Sequence, residues 1–487
     1  MKKFIYLFIP LCILLVAFFL RNYSNKNQVI LKSDGFHPSE LTVKKGTTVI
    51  FKTSLKKQFW PASNFHPTHE LYPEFDPQKP IEPKETWEFK FDKVGEWKFH
   101  DHLSPNMKGT IIVLDENGKK SSLDCTNLKS VDSRTKQSCW VNQIDSVLSK
   151  EGLNSAFKLI SELYNNDPDF SKICHDTMHR VGAAAYREYK QKHAIVLDPS
   201  TTFCSFGFYH GFTEAIAENG GNPNDAIKFC QMVGSQLGKD LPDIILQCHH
   251  GLGHGSVVVD NKLLWENEKA MIEPAKNLCL ATSTDSQQLF RCGTGVFDSI
   301  SIAYFSKSYG LTMKKDDPFW LCKEQKEEEF KKACYVSLDV ALMWMNNRDL
   351  AKSAKYIESI SEDEYAVLAM GSLALPAVNI RTQTNEETAL KMENYYFTDG
   401  RNICNSLQKR LQSACITSIA YALTVPEGES DNYKKALKFC HQSKLSEDKA
   451  NDCFRKIMET MAVIYPSDKI QQICQGINDE DRRKICL

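Results

Sequence analysis

Histidine is scarce in this chain, 13 in 487 residues, and most of it comes in close pairs. His66-Pro67-Thr68-His69 and His100-Asp101-His102 lie toward the amino terminus. Farther along come His175-x-x-x-His179, His210-x-x-x-Glu214 and His250-x-x-x-His254. A neutral imidazole is a ready metal ligand, and several converging on one point make a site. Residues two apart on a strand share a face, as do residues four apart on a helix. The first two pairs therefore read as one mononuclear centre on His66, His69, His100 and His102, suited to copper, with zinc second. Asp101 or Glu70 would orient a ring from behind. The helical pairs read as a second set, His175, His179, His210, Glu214, His250 and His254, fitted to zinc, iron or manganese. A metal-bound water there would support hydrolysis, with Glu214 as ligand or base. The plain alternative is loop histidines that bind nothing and core histidines hydrogen-bonded across packed helices. Gly182, Gly207, Gly211, Gly251 and Gly253 flank the helical pairs and would let helices approach closely. No Ser-His-Asp elbow, phosphate loop, dinucleotide fingerprint or HExxH helix accompanies them.

The elements that must position these groups change character along the chain. Lys2 and Lys3 precede an apolar run from Phe4 to Leu20, so residues 1–22 read as a membrane anchor or signal segment. Seventeen helical residues span about 25 Å, the short end of a membrane crossing. Small residues are missing where a signal peptidase would cut, which favours an uncleaved anchor. Of 17 cysteines only Cys12 lies in that run, and the other 16 fall between Cys125 and Cys486. Many recur as local pairs: Cys230/Cys248, Cys279/Cys292, Cys322/Cys334, Cys404/Cys415, Cys440/Cys453 and Cys474/Cys486. Cys125, Cys139, Cys174 and Cys204 pair less obviously. Zinc sites would favour tight Cys-x-x-Cys spacing, which is absent, so the pairs read as disulfides formed in an oxidising compartment. The bulk of the protein is expected to face the periplasm or cell exterior, tethered to the membrane. A net charge of −1, from 60 basic and 61 acidic residues, offers no field for nucleic acid.

Residues 27–117 read as β-structure. Val29–Lys32, Leu41–Val43, Thr48–Phe51, Trp87–Phe91, Trp97–His100 and Thr110–Leu114 are short β-branched and aromatic runs. Asp34-Gly35, Lys45-Gly46, Gly95 and Gly109 punctuate them, a pattern of a sandwich or barrel. Phe36-His37-Pro38, Leu41-Thr42-Val43-Lys44-Lys45-Gly46, Val49-x-Phe51, Gly95-x-Trp97-x-Phe99-His100 and Met107-Lys108-Gly109-Thr110 together resemble the cupredoxin family. The likeness is to plastocyanin-like modules and the periplasmic domains of metal-uptake proteins. It implies a cupredoxin-like β-sandwich, but its ligand pattern is broken. A blue-copper centre needs a thiolate and two histidines. Asp101 stands at the family's Cys position, Ser104 and Phe59 at its His positions, and only Met107 matches. Copper is then expected on the relocated histidines instead. Phe59-Trp60-Pro61-Ala62 reads as a hydrophobic lid or core edge.

From residue 122 to 487 apolar residues recur at helical steps, as in Ile416–Leu423. The second cysteine of each pair, as in Cys248-His-His-Gly and Cys292-Gly-Thr-Gly, is expected to open an apolar helix. First cysteines of the pairs fall mostly 34 to 49 apart, with one double gap between Cys322 and Cys404. That period predicts an α-solenoid of helical hairpins, one of them lacking its disulfide. Solenoids present long surfaces to protein partners. Three functions follow from these parts: a membrane-tethered metal-binding protein, a metal-dependent hydrolase centred on the helical set, or a pure scaffold.

Overall fold

The computed structural model of the protein describes residues 27–64, 69, 71–119, 125, 133–192, 195–197, 199–202, 204, 206–218, 223–239, 241, 243–257, 261–375, 399–424, 432–442, 445–464, 467–477, 483 and 486. The expected anchor, residues 1–22, lies outside them. Among the described residues no helix is long and apolar enough to cross a membrane. The chain divides into two compact units between Ser149 and Lys150.

In the first unit the strands are β1 (Gln28–Lys32), β2 (Gly35–His37), β3 (Glu40–Lys44), β4 (Thr47–Thr53), β5 (Pro61–Ser63), β6 (Trp87–Phe91), β7 (Gly95–Asp101) and β8 (Ser104–Leu114). They form two four-stranded sheets, ordered β2-β1-β4-β6 and β3-β8-β7-β5. β4 shows why: Val49, Phe51 and Thr53 are buried while the residues between them are less so, the period of a half-covered strand. Phe75, from the long connection between β5 and β6, sits fully buried in the core. Its ring lies 5.3 Å from Phe51, 5.0 Å from Phe91 and 5.5 Å from Phe99, centroid to centroid. A first helix, α1 (Ser133–Glu151), belongs with this unit through Ser149 rather than with the helical segment expected from residue 122. Ser138 Oγ and Asn142 Nδ2 both donate to the Glu96 carbonyl, at 2.6 and 3.0 Å. Asp145 pairs with Lys98 at 2.5 Å, and a disulfide joins Cys125 to Cys139.

The second unit is helical: α2 (Leu153–Asn166), α3 (Pro168–Lys192), α4 (Gly207–Glu218), α5 (Pro223–Leu237), α6 (Ile244–Gly255), α7 (Glu268–Thr282), α8 (Ser286–Ser306), α9 (Trp320–Lys323) and α10 (Glu328–Ser337). There follow α11 (Asp339–Met345), α12 (Leu350–Glu358), α13 (Asp363–Ser372), α14 (Gly400–Ser406), α15 (Lys409–Thr424), α16 (Asn432–Gln442), α17 (Glu447–Ile464) and α18 (Ser467–Gln475). Helices α3, α4, α6, α8, α10, α13, α15 and α17 pack each on the next, making a continuous row of helical repeats.

The local cysteine pairs form as expected. Cys230–Cys248 ties α5 to α6, Cys279–Cys292 ties α7 to α8, and Cys322–Cys334 ties α9 to α10. Cys404–Cys415 ties α14 to α15, and Cys440–Cys453 ties α16 to α17. Cys474 joins Cys486, and Cys174 on α3 joins Cys204.

Where these cysteines sit in their helices differs from the sequence expectation, because none of the five second cysteines opens its helix. Cys292, Cys334, Cys415 and Cys453 each stand seventh in theirs, in helices that open on two polar residues. On α8 the first turn is capped by Asp285, whose carboxylate accepts from Gln288 N at 2.9 Å. Cys248 departs in another way. It stands fifth in α6, whose first turn is already apolar, with Ile244 buried. Its bridge also spans 18 residues, against 13 for Cys279–Cys292, because α5 runs on past Cys230 to Leu237 before the chain turns. The double gap in cysteine spacing holds α12 and α13, a hairpin without a disulfide.

Two glycines let the first helices of the row touch backbone to backbone. A Cβ on Gly211 of α4 would lie 1.8 Å from the His179 carbonyl oxygen of α3, and one on Gly295 of α8 would lie 1.9 Å from the His250 carbonyl oxygen of α6. Each local disulfide closes a short loop and contributes up to about 2–3 kcal/mol, on a loop-entropy account. Reduction under native conditions is therefore expected to lower the thermal midpoint of the helical unit. Residues 27–114 hold no cysteine, so the near-UV signal of their buried tryptophans should persist through that transition. Loss of both signals together would contradict this account.

Candidate metal centres

In the first unit the regular alternation of β7 ends where the histidines begin. His100 and Asp101 are both buried, and the β7–β8 register shifts between them. Asp101 pairs with Ser104, so only His102 and Leu103 form the turn, and residues 105–107, Met107 among them, are bypassed by the pairing. His69 comes from the β5–β6 connection, with a left-handed backbone at φ 55° that few non-glycine residues adopt. His69, His100 and His102 are all buried, and one donor atom from each lies within 4.8 Å of the others. His69 Nε2 and His102 Nδ1 are 2.9 Å apart.

The outward nitrogens of two of these rings are committed. Asp76 Oδ2 accepts from His69 Nδ1 at 2.7 Å, and its Oδ1 accepts from the Trp60 indole N–H at 2.7 Å. His100 Nδ1 donates to Asn64 Oδ1 at 3.2 Å. With Nδ1 protonated on both, the lone pair of each ring lies on Nε2, and that of His69 faces His102 Nδ1. Burial acts to raise the Asp76 carboxyl, but the bonds from His69, the Gln78 backbone and Trp60 hold it below its ordinary value. Asp76 is the group sequence reasoning missed, and it takes the orienting role expected of Asp101 or Glu70. Asp101 instead accepts from the Trp60 backbone N–H at 2.7 Å, and burial raises its carboxyl. Trp60 is a lid of the kind expected: its ring lies 4.3 Å from that of His102. His66 and Glu70 lie outside the described residues.

In the second unit α3 carries His175 and His179, α4 carries His210 and Glu214, and α6 carries His250 and His254. All six side chains come together. The His210 ring is the hub, with centroids 5.1 Å from His175, 5.1 Å from His179, 5.0 Å from His250 and 5.0 Å from His254. His175, His179 and His210 form the tight subset. Glu214 binds His179 Nδ1 at 2.9 Å and His254 Nδ1 at 3.2 Å. His250 faces α8 instead: its Nδ1 meets Thr294 Oγ1 at 2.8 Å, and its Nε2 lies 3.6 Å from Asp298 Oδ2. Thr294 and Asp298 carry no signal in the sequence beyond their place in the next repeat. Cys248, two residues before His250 on α6, is fully buried and bonded to Cys230, so its sulfur is a cross-link and offers no thiolate to the cluster.

Burial dominates the electrostatics here. It drives His175 down to about 3 and takes His210 and His250 well below their ordinary value, with neighbouring rings and Arg291 adding to it. His179 is raised, because the Glu214 charge and hydrogen bond outweigh its burial. Glu214 is held well below the usual carboxylate range by His179 and His254 against its own burial. Burial lifts Asp298 to about 6. The cluster is therefore mostly neutral imidazole at neutral pH, the form that binds metals.

Residues 7–113 match the family model described as a cupredoxin-like domain, and the first unit is a cupredoxin-like β-domain. Among solved structures the chain is similar to a purple cupredoxin from Nitrosopumilus maritimus, at 18% identity and a TM-score of 0.15, covering 97% of that chain and 18% of this one. No curated protein matches. Together the cupredoxin-like domain and the many disulfides mark an extracytoplasmic protein.

Asp339, at the start of α11, gives a further pH signature. Burial, with repulsion from Asp298, lifts its carboxyl to about 8. Between pH of about 4 and 8 the folded chain keeps that proton while the unfolded chain loses it, so stability falls as pH rises through the window. Asp339→Asn is expected to flatten this fall in denaturant melts taken from pH 4 to 8, and so to gain on the parent at the alkaline end. An unchanged slope would refute the assignment.

Proposed function

We propose that the protein is an extracytoplasmic copper-binding protein whose cupredoxin-like domain holds one ion on His69, His100 and His102. The reading rests on one observation: three buried imidazoles meet with donor atoms within 4.8 Å, and two have their Nδ1 held by hydrogen bonds, which places the lone pair on Nε2. Copper fits the imidazole donors, with zinc as the competing choice. Residues 27–117 supply no thiolate. Without one the centre lacks the ligand that gives blue copper its fast electron transfer, so binding, storage or delivery is the role it suits. The bound ion supplies a Lewis-acidic positive charge. The protein supplies orientation through Asp76 and Asn64 and water exclusion through Trp60. A membrane tether is supported by the apolar run at residues 4–20, and the row of helical repeats offers a surface for a protein that gives or receives the metal.

Copper titration of the full chain, purified from an oxidising compartment, tests this. His100→Ala with His102→Ala should lower the bound copper by one ion per chain. Asp76→Asn should keep that ion but weaken it about 10–100-fold, the usual cost of removing an orienting carboxylate. The parent complex should be EPR-active as Cu(II), without the intense thiolate-to-copper absorption of a blue site. Copper content unchanged by the double substitution would sink the proposal.

A further inference from the structure

The helical cluster brings nitrogens of three rings, His175, His179 and His210, within reach of one another. His175 Nδ1 lies 2.9 Å from the Cys204 carbonyl, which can only accept. That nitrogen is therefore the N–H, and His175 Nε2 carries a lone pair. His179 Nδ1 lies 2.9 Å from the Glu214 carboxylate and is likewise the N–H. What remains of His179 is Nε2, and it sits 3.2 Å from His175 Nε2 and 3.3 Å from His210 Nδ1. As neutral rings His175 and His179 would meet lone pair to lone pair, with a third ring nitrogen beside them. A cation shared between these nitrogens, a proton on His179 or a metal ion, relieves that contact. On the far side of the hub, His210 Nε2 is buried with no hydrogen-bond partner among the described residues, in a side chain 5% exposed.

The spacing also suits a metal ion. Metal–imidazole bonds of about 2.0–2.1 Å set tetrahedral donor atoms roughly 3.3–3.4 Å apart. The separations of 3.2 and 3.3 Å between these nitrogens fall at that edge length. A proton on His179 Nε2 relieves the contact by leaving a charged ring in a buried cluster, whereas a metal ion draws on all three nitrogens at once. We infer that the helical unit holds one divalent cation of the borderline class, zinc or copper, on His175 Nε2, His179 Nε2 and His210 Nδ1. Nitrogen donors alone disfavour manganese, which prefers oxygen ligands. Glu214 and the Cys204 carbonyl fix the rings from behind, as positioning groups. Cys204 itself takes a left-handed backbone, φ 58°, where its carbonyl meets His175. Three protein ligands leave a fourth position for water or an exchangeable anion, as in sites that act rather than merely staple. Gly211 is part of the device, since any Cβ there would push α4 off His179.

This site is independent of the copper centre in the first unit, and the test keeps them apart. The full chain carrying His100→Ala and His102→Ala is titrated with Zn(II), and separately with Cu(II), against a chromophoric chelator. One equivalent of either metal should bind, and the Cu(II) form should show EPR hyperfine coupling to imidazole nitrogens. Tighter retention of Zn(II) or of Cu(II) against the chelator then assigns the ion. Adding His175→Ala should abolish tight binding. Because that change opens a hole in the packing, Glu214→Gln serves as the second variant: all three ligands remain, and affinity should drop about 10–100-fold. The inference fails if the folded His100→Ala/His102→Ala chain binds neither metal, or if Glu214→Gln leaves its affinity unchanged.

Discussion

A buried neutral imidazole has one proton to donate and one lone pair to place, and both units are arranged around that constraint. Committing the proton fixes the ring and decides where the lone pair points. In the β-unit the commitments are His69 to Asp76 and His100 to Asn64. In the helical unit they are His175 to the Cys204 carbonyl and His179 to Glu214. Each centre thus has one ring held by a carboxylate and one held by a neutral oxygen. Two unrelated folds arrive at the same division of labour because the ligand atom dictates it.

The partners are as firmly placed as the ligands. Asp76 follows Phe75, whose ring is locked among Phe51, Phe91 and Phe99, so the carboxylate is an extension of the hydrophobic core. The Phe75 carbonyl also accepts from Ser63 N at 2.9 Å, tying the same residue to β5. Rigid support of this kind holds a site within tolerance better than a free loop would. In the helical unit the equivalent support is backbone contact at Gly211 and Gly295, which draws α3, α4, α6 and α8 into register so that their polar rows meet. Changing those glycines would move ligands and stability together, since the same contact serves both.

The helical histidines were legible because their pairs obey the four-residue step of a helix, and His100 and His102 because they stand two apart in the sequence where β7 ends. Cysteine pairing between neighbouring helices was legible for the same reason, although where Cys248 and its counterparts fall within their helices was not, since first turns differ in polarity. The cupredoxin likeness was carried by strand and turn motifs, which depend on the fold rather than on the metal. What escaped the sequence depends on chain returns of no fixed period. Asp76 reaches His69 across seven residues of irregular connection. Asn64 meets His100 only because β5 pairs with β7. Thr294 and Asp298 arrive from the next hairpin. The bulge at His100/Asp101 buries two consecutive side chains, which strict alternation forbids. The first helix reads as part of the helical segment by composition, yet Ser138 and Asn142 give it polar contacts on the edge of β7.

The absence of a thiolate from both donor sets has a physical logic in a chain with 17 cysteines. In an oxidising compartment a metal-binding cysteine that is not yet loaded is also a nucleophile for thiol–disulfide exchange. It would compete for pairing with the sixteen cysteines joined in the helical unit and at α1. Imidazole takes no part in that chemistry. In the proposed sites, ligands of histidine alone would keep metal binding separate from disulfide formation, so that the framework could be closed without consuming the site. The cost is the loss of the covalent copper–sulfur bond on which rapid electron transfer relies. A centre built this way gains compatibility with a heavily cross-linked neighbour and gives up redox speed, the exchange expected of a protein that holds a metal rather than cycles it.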